Sequence, residues 1–312
     1  MINYKKIIRS RKMRLSILRF LRFVPDSWMI RIQYRMKTGR KLDLQNPKRF
    51  TEKLQWYKLY YRNDLMPQCV DKFDVREYVK RCGLESILNV CYGVFDTPDE
   101  IDFSALPDQF VLKDTLGSGG NSVIICRDKS QLDIPAATEQ MSGWIKTNHR
   151  IRSGGREWPY YSGKPHRIIA EKYIDSDPAE GGLIDYKFIC FCGKAEYLYV
   201  VADRSLGNGA GFGIYDASYQ NLNYFRTDER PLTREIPKPA EYERMLEIAE
   251  RLSAPFPHAR IDLYDQNGII LFGEITFFDG SGYMMFEPDE FDFILGEHFS
   301  LPNRNIWQFE CI

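Results

Sequence analysis

No stretch of 18 or more apolar residues occurs in the chain, so no helix is expected to cross a membrane. The first residues are basic, but they lack an uninterrupted apolar segment and a small-residue cleavage pattern, so no signal peptide is expected. No Cys-x-x-Cys pair is present. The seven cysteines are scattered and odd in number, and only Cys190 and Cys192 lie close together, at a spacing suited to one face of a strand. This argues against a zinc site and for reduced thiols in a cytoplasmic protein. Histidine is scarce, at four residues, which leaves few candidates for an imidazole base; His258, close to Asp262, is the one to watch. Neither a Walker A loop nor a Gly-x-Ser-x-Gly nucleophile elbow is found. Repeats and low-complexity tracts are missing as well.

What is present is an ordinary globular balance. Hydrophobic residues make up 44% of the 312 and charged residues 28%, enough for a sizeable core in one large domain or two to three lobes. Net charge is zero but unevenly spread. Residues 1–41 carry 13 Lys and Arg against the single acid Asp26, and the remainder is correspondingly acidic. A basic arm on an acidic body points to an anionic partner. Residues 5–24 read as a helix stopped by Pro25, with Met13, Ile17, Phe20, Leu21 and Val24 on one face and Lys12, Arg19 and Arg22 opposite. Two readings stand side by side: a helix lying on an anionic membrane surface, or one packed on the body with a solvated basic face. Nucleic acid is not expected, because no binding motif accompanies the charge.

Residues 50–62 and 70–82 read as amphipathic helices, the first with Thr51 as its N-cap and the second stopped by Gly83. From about residue 88 short strands and turns take over. Strands are expected at 109–113, 122–126, 167–174, 185–192, 195–203, 260–264 and 269–278, with helices at 136–149 and 239–252. Strand pairs alternating with helices give an α+β chain with mainly antiparallel sheets.

Four segments carry candidate chemistry. In QFVLKDTLGSGGNSVII a strand ends in Lys113, a glycine-rich loop follows and a second strand leaves. Glycine lets backbone N–H groups approach phosphate, and lysine adds compact positive charge; taken alone, these letters favour a glycine-rich hairpin with no ligand. RIIAEKYIDSD closes on Glu171 and then Lys172-Tyr173-Ile174, which present backbone groups to a base or form a plain edge strand. DYKFICFCGKAEYLYVVADR is a hairpin turning at Gly193, with Lys187 among apolar neighbours and Arg204 ending the second strand. Lys187 then needs an anion, or pairs with Asp185 or Glu196. In ARIDLYDQNGIILFGEITFFDGSG, Asp262 and Glu274 sit on two strands joined through Asn267-Gly268. A strict two-residue turn pairs Asp262 with Gly273 and sends Glu274 to the other face; a longer loop sets the two acids opposite each other. Opposed carboxylates in an apolar sheet call for a cation, and hard oxygen ligands favour Mg²⁺.

Taken in order, these segments resemble the ATP-grasp superfamily, and among its members the TupA-like ATP-grasp proteins named for teichuronopeptide biosynthesis. The resemblance runs from about Asn46 to Pro302 through NPKRFTEKLQWYKLYYRND, DKFDVREYV, LPDQFVLK, GSGGN, DYKFICFCGK, PFPHARIDLY, GEITFF and EFDFILGEHFSLP. It implies an ATP-grasp fold, α+β, with antiparallel sheets flanked by helices and a helical N-terminal region. The implied division is an arm at 1–45, a helical lobe at 46–108, a small lobe at 109–180 and a C-terminal lobe at 181–312. By the same resemblance ATP and Mg²⁺ are expected. Lys113 matches the lysine that grips the α- and β-phosphates. Gly117, Ser118, Gly119, Gly120 and Asn121 match the loop closing over the triphosphate, and Glu171, Tyr173 and Ile174 the adenine hinge. Lys187 and Arg204 match basic positions around the γ-phosphate and acyl phosphate, as in RimK-type ligases, and Arg260 a residue holding acyl phosphate or substrate carboxylate. Asp262 and Glu274 match the Mg²⁺ carboxylates. Two departures stand out: Thr276 where an Asn is often the third metal position, and Asp114-Thr115-Leu116 where the subfamily has Asn-His.

The implied activity joins a carboxylate to an amine at the expense of ATP through an acyl phosphate in envelope or capsular polysaccharide synthesis, either amidating a carboxylate-bearing sugar or glycan such as a uronic acid with an amino acid, or attaching an amino acid to an amino sugar. The implied location is cytoplasmic, with residues 1–24 touching the inner face of the membrane. The rival readings are a glycosyltransferase, for which Asp175-Ser176-Asp177 has the letters but not the placement of a metal motif, a sugar kinase on the same fold, and a non-catalytic binding protein.

Overall fold

The computed structural model describes residues 10–117, 120, 122–146, 154–175, 182–205 and 209–302. Helix α1 (Arg11–Phe20) tightens into a 3-10 turn at Leu21–Phe23 and ends before Pro25, as expected from the proline. A second helix that the apolar pattern did not single out, α2 (Asp26–Thr38), follows at once. Next come α3 (Phe50–Tyr60), α4 (Leu65–Val70) and α5 (Val75–Arg81). The expected single helix over 70–82 is therefore broken, and the break has a cause. The buried Asp71 carboxylate accepts from the N–H groups of Phe73 and Asp74, both at 2.9 Å, which satisfies them in a turn instead of a helix.

The N-cap of α3 is Arg49, not Thr51. Glu52 reaches back to the Arg49 N–H at 3.2 Å and the Lys48 N–H at 3.1 Å. The Thr51 hydroxyl instead donates to buried Asp292 at 2.9 Å, tying α3 to the last helix.

Beyond these helices come β1 (Cys91–Phe95), β2 (Phe110–Asp114), β3 (Val123–Cys126), α6 (Ile134–Ile145) and β4 (Ile168–Lys172). The four strands form one antiparallel sheet in the order β1-β4-β2-β3. β4 is thus an interior strand, not the edge strand that its sequence alone allowed. Phe110, Leu112, Ile168 and Ala170 point to one face and build a small core with Met141 and Trp144 of α6. Alternation leaves Val111, Lys113, Ile169 and Glu171 on the other face.

The larger sheet holds β5 (Asp185–Phe191), β6 (Lys194–Ser205), β7 (Gly209–Asp216), β9 (Arg230–Pro231), β10 (His258–Gln266) and β11 (Ile269–Thr276), ordered β11-β10-β5-β6-β7-β9. All its pairings are antiparallel except β7 with β9. β8 (Phe225–Arg226) pairs with β12 (Phe286–Glu287), and the helices α7 (Tyr242–Ser253) and α8 (Glu290–His298) complete the described fold. The main core joins α3, α7 and α8 to this sheet through Tyr57, Phe188, Tyr242, Phe256, Phe291 and Phe299. His258 lies inside that core. Its Nδ1 is 3.0 Å from the Cys190 carbonyl and its ring packs on Phe50, Phe191 and Phe299. Burial pushes its pKa down to about 4, so it is a neutral packing residue in the neutral pH range.

Candidate nucleotide and metal site

The Asn267-Gly268 turn is the strict two-residue type: Gln266 pairs with Ile269, and the register holds as far as Leu263 with Phe272. Yet Asp262 stands directly opposite Glu274. The difference is a β-bulge between Asp262 and Leu263, which absorbs Gly273 as an extra residue. The expectation that opposed acids require a longer loop is therefore corrected: the turn is short and the bulge resets the faces. Glycine is required at the bulge, because a Cβ there would lie 2.9 Å from the Asp262 carbonyl oxygen and 3.1 Å from the Tyr264 ring.

Arg260 organises the two acids. Its guanidinium donates to Asp262 at 2.7 and 2.8 Å, to Glu274 at 3.2 Å, to the Thr276 hydroxyl at 3.1 Å, and at short range to Asp279. Lys187, on the neighbouring β5, stands opposite Asp262, contacts its carboxylate at short range and pairs with Asp185 at 2.6 Å. One of its two expected alternative partners, Asp185, is thus present, but the pair is buried. Glu196 pairs with Lys194 instead, at 3.3 Å. Burial opposes the charges on Arg260 and Lys187, but the surrounding carboxylates outweigh it, and both are held protonated more firmly than usual. Burial likewise disfavours ionised Asp262 and Asp279, yet Arg260 with Lys187 in one case and with Arg226 in the other keeps both below the usual carboxylate range. Arg226 is 3.7 Å from Asp279.

Three cations, Lys187, Arg226 and Arg260, thus face Asp185, Asp262, Asp279 and Glu274, and Arg226 also pairs with Asp228 at 2.9 Å and Glu229 at 3.8 Å at the edge of the cluster. The excess is negative, and on the β10–β11 face the half-exposed carboxylate is Glu274. Such a cluster repels a bare polyphosphate and attracts a divalent cation. Asp262 and Glu274 offer hard oxygen donors on one face, with the Thr276 hydroxyl 3.2 Å from Glu274. Among the described residues no group of three or more His, Cys, Asp and Glu side chains is arranged to hold a metal by itself. The donor set therefore fits a Mg²⁺ that takes part of its shell from a phosphate or water, and it fits no all-protein metal cage. Sequence reading missed Asp279 and Arg226. The signal for Asp279 was its place in the DGSG turn directly after the Glu274 strand.

The smaller sheet supplies the second cluster. Lys113 and Glu171, read from different segments, meet across β2 and β4 with Nζ 2.7 Å from the carboxylate, and Arg76 stands 3.6 Å from the same carboxylate. Tyr173 and Ile174 follow β4 and are partly exposed. Gly117 ends a turn whose closure depends on the missing side chain, since a Cβ would fall 2.8 Å from the Cβ of Ser122 and 3.0 Å from that of Asp114. The base of the loop is fastened from outside. Lys72 donates its N–H to the Thr115 carbonyl at 2.9 Å and its Nζ at short range to the Gly117 carbonyl. Asp114, one of the departures from the family pattern, accepts from the Leu116 N–H at 3.0 Å and lies 2.9 Å from His166 Nδ1. Gly120 is described; Ser118, Gly119, Asn121 and the side chain of Arg204 lie outside the described residues, as do Ser176 and Asp177.

No curated protein matches this chain. Among solved structures it is similar to D-alanine–D-alanine ligase from Bacillus anthracis (17% identity, TM-score 0.43, covering 72% of this chain and 63% of that one) and from Helicobacter pylori (13%, 0.41, 74% and 58%). It is also similar to a RimK domain ATP-grasp protein from Sphaerobacter thermophilus (10%, 0.38, 80% and 69%). The chain thus spans less than two thirds of the length of these two D-alanine ligases. The assignment rests instead on the sequence family model for TupA-like ATPgrasp, which matches residues 52–300 and takes in both sheets and both clusters. This chain belongs to the TupA-like ATP-grasp family.

Proposed function

We propose that the chain is an ATP-dependent carboxylate–amine ligase acting through an acyl phosphate. The observation that carries this reading is the Arg260 guanidinium fixed between Asp262 and Glu274, with Lys187 alongside. In the proposed reaction a carboxylate oxygen attacks the γ-phosphorus of ATP and ADP leaves. An amine nitrogen then attacks the acyl carbon, inorganic phosphate departs and an amide remains. Positioning and charge neutralisation carry such a reaction, so no protein nucleophile is needed.

Asp262 and Glu274 are the residues to hold Mg²⁺, which when bound offsets phosphate charge and polarises the phosphoryl group. Arg260 and Lys187 are poised to trade a carboxylate partner for a phosphate or acyl phosphate oxygen, with Arg204 as a further cation. Lys113 would exchange Glu171 for the α- and β-phosphates. Gly117, Ser118, Gly119, Gly120 and Asn121 close over the triphosphate, and the backbone of Tyr173 and Ile174 reads the adenine edge. The substrate pair we assign is a uronic acid or other carboxylate-bearing sugar with an amino acid, in envelope or capsular polysaccharide synthesis. The basic arm, residues 1–24, would bring a cytoplasmic enzyme to an anionic membrane face.

A screen of uronic acids against amino acids, read by ADP release and product mass, tests this. The expected result is ADP formation requiring both partners and a product lighter than their sum by one water. ADP with a phosphorylated sugar and no need for amine would make the protein a kinase. Thermal stabilisation by UDP-sugars and not by ATP would make it a glycosyltransferase.

A further inference from the structure

Helix α2 is held on the body by one face. Met29, Ile30, Gln33, Tyr34 and Thr38 are buried. Gln33 donates to the Gly154 carbonyl at 2.8 Å and accepts from the Tyr283 hydroxyl at 2.6 Å. The opposite face carries Trp28, Ile32 and Met36 on successive turns, all exposed, Trp28 at 69%. Just before it in the chain, the end of α1 and its 3-10 turn present Phe20 at 76% and Phe23 at 72% exposure, their rings edge to face at 6.1 Å. Met13 and Ile17 continue this apolar line along α1. The surface is firmly backed. Arg156, itself buried, donates to the carbonyls of Leu21 at 2.8 Å and Arg22 at 3.2 Å.

A soluble surface seldom collects this many large apolar side chains without a partner. The charge around them names the partner's chemistry. Asp26, the one acid among 13 Lys and Arg in residues 1–41, is committed inward, 3.3 Å from Arg156 and 2.9 Å from the Tyr161 hydroxyl. Arg31 donates to the Leu42 carbonyl at 3.2 Å and Arg35 to the Gly39 carbonyl at 2.6 Å, bonds that use up no carboxylate. A second copy would bring equal basic surfaces together, and a nucleic acid would leave five large apolar side chains unserved. No helix among the described residues is long and apolar enough to cross a membrane. We infer that α1 and α2 together form a docking surface that seats Phe20, Phe23, Trp28, Ile32 and Met36 at the headgroup boundary of an anionic bilayer, with Arg31 and Arg35 on the lipid charge. Tryptophan at that depth and arginine around it are the composition such a boundary selects. This extends the arm of the proposed function onto α2, and none of the five apolar side chains is among the residues assigned to nucleotide or metal.

The test is co-sedimentation of the full chain with phosphatidylcholine vesicles, with and without phosphatidylglycerol, at low and high salt. Binding to the anionic vesicles only, released by salt, is expected. The double variant Trp28→Glu/Ile32→Glu should bind about tenfold more weakly while its melting temperature and any ATP-dependent ADP release match the native chain. Should that variant melt early, Phe20→Ser/Phe23→Ser, lying outside the packed face of α2, gives the same comparison. Native chain left in the supernatant at low salt, equal binding by variant and native chain, or a native dimer that the variant converts to a monomer without vesicle binding would each overturn the inference. ADP release is scored separately, so a failed ligase assay leaves the vesicle result intact.

Discussion

At the scale of single residues, the site depends on a hydrogen atom where every other residue has a side chain. Gly273 lets the β10–β11 ladder slip by one residue, and that slip puts Glu274 opposite Asp262. Gly273→Val places a methyl-bearing carbon against the Asp262 carbonyl, 2.9 Å from the Cβ position. The strand must either distort or give up the bulge. The expected cost is about 1–3 kcal/mol in denaturant unfolding, with loss of metal-dependent ATP binding in the folded fraction. Unchanged stability and unchanged binding would show that the bulge tolerates a side chain and does not set the faces. The two acids were legible from the sequence as candidates, but their register was not. A bulge of this kind is a local trade of one residue for twist, and Asn-Gly alone argues for the opposite face.

At the scale of elements, α3 acts as a clamp on the turn that follows the Glu274 strand. Gln55 donates to the carbonyls of Ser281 at 3.1 Å and Gly282 at 2.7 Å. One turn on, Lys58 donates to the Ser281 carbonyl at 2.6 Å, its hydroxyl at 2.9 Å and the Gly155 carbonyl at 3.1 Å. The turn matters because it begins at Asp279, the partner of Arg260. Lys58→Met keeps the length and removes the donor, leaving buried carbonyls without it, so unfolding should become easier by about 1–3 kcal/mol. Burial pulls the Lys58 ammonium down to about 7 from 10.5, with Glu157 opposing. Its folded value therefore lies below its unfolded one. The associated stability is full above pH 10.5 and is lost as pH falls through about 7. The gap between native chain and variant should narrow over that window in pH-dependent unfolding; a pH-independent gap would mean that Lys58 does not titrate there. Neither Gln55 nor Lys58 stood out in the sequence, because a polar pair on an amphipathic helix reads as solvated surface. Most strands did stand out, since they are short, largely apolar runs bounded by turn residues, and several are buried almost throughout. The helix over 70–82 misled for a reason visible only in three dimensions: Asp71 turns the chain so that Lys72 can fasten the base of the glycine-rich loop.

At the scale of the whole molecule, the chain separates its charges by task. Buried cations and carboxylates gather on β5, β10 and in the Asp279 turn beside the half-exposed Glu274 of β11, and a second pair, Lys113 and Glu171, spans the smaller sheet. The order of these segments was readable because each strand carries its polar residue in an apolar run. The pairing of Lys113 with Glu171 was not, since it depends on β4 lying between β1 and β2. In the proposed function both clusters belong to one Mg²⁺–ATP site in which each cation waits on a carboxylate until phosphate replaces it. Calorimetric titration of ATP with Mg²⁺ into the native chain, Lys113→Ala and Glu274→Gln tests that claim most directly. The prediction is Mg²⁺-dependent binding by the native chain, weakened at least about tenfold in each folded variant, as expected when a charged partner is lost. Equal ATP affinity in all three, or none in the native chain at millimolar ATP, would contradict it.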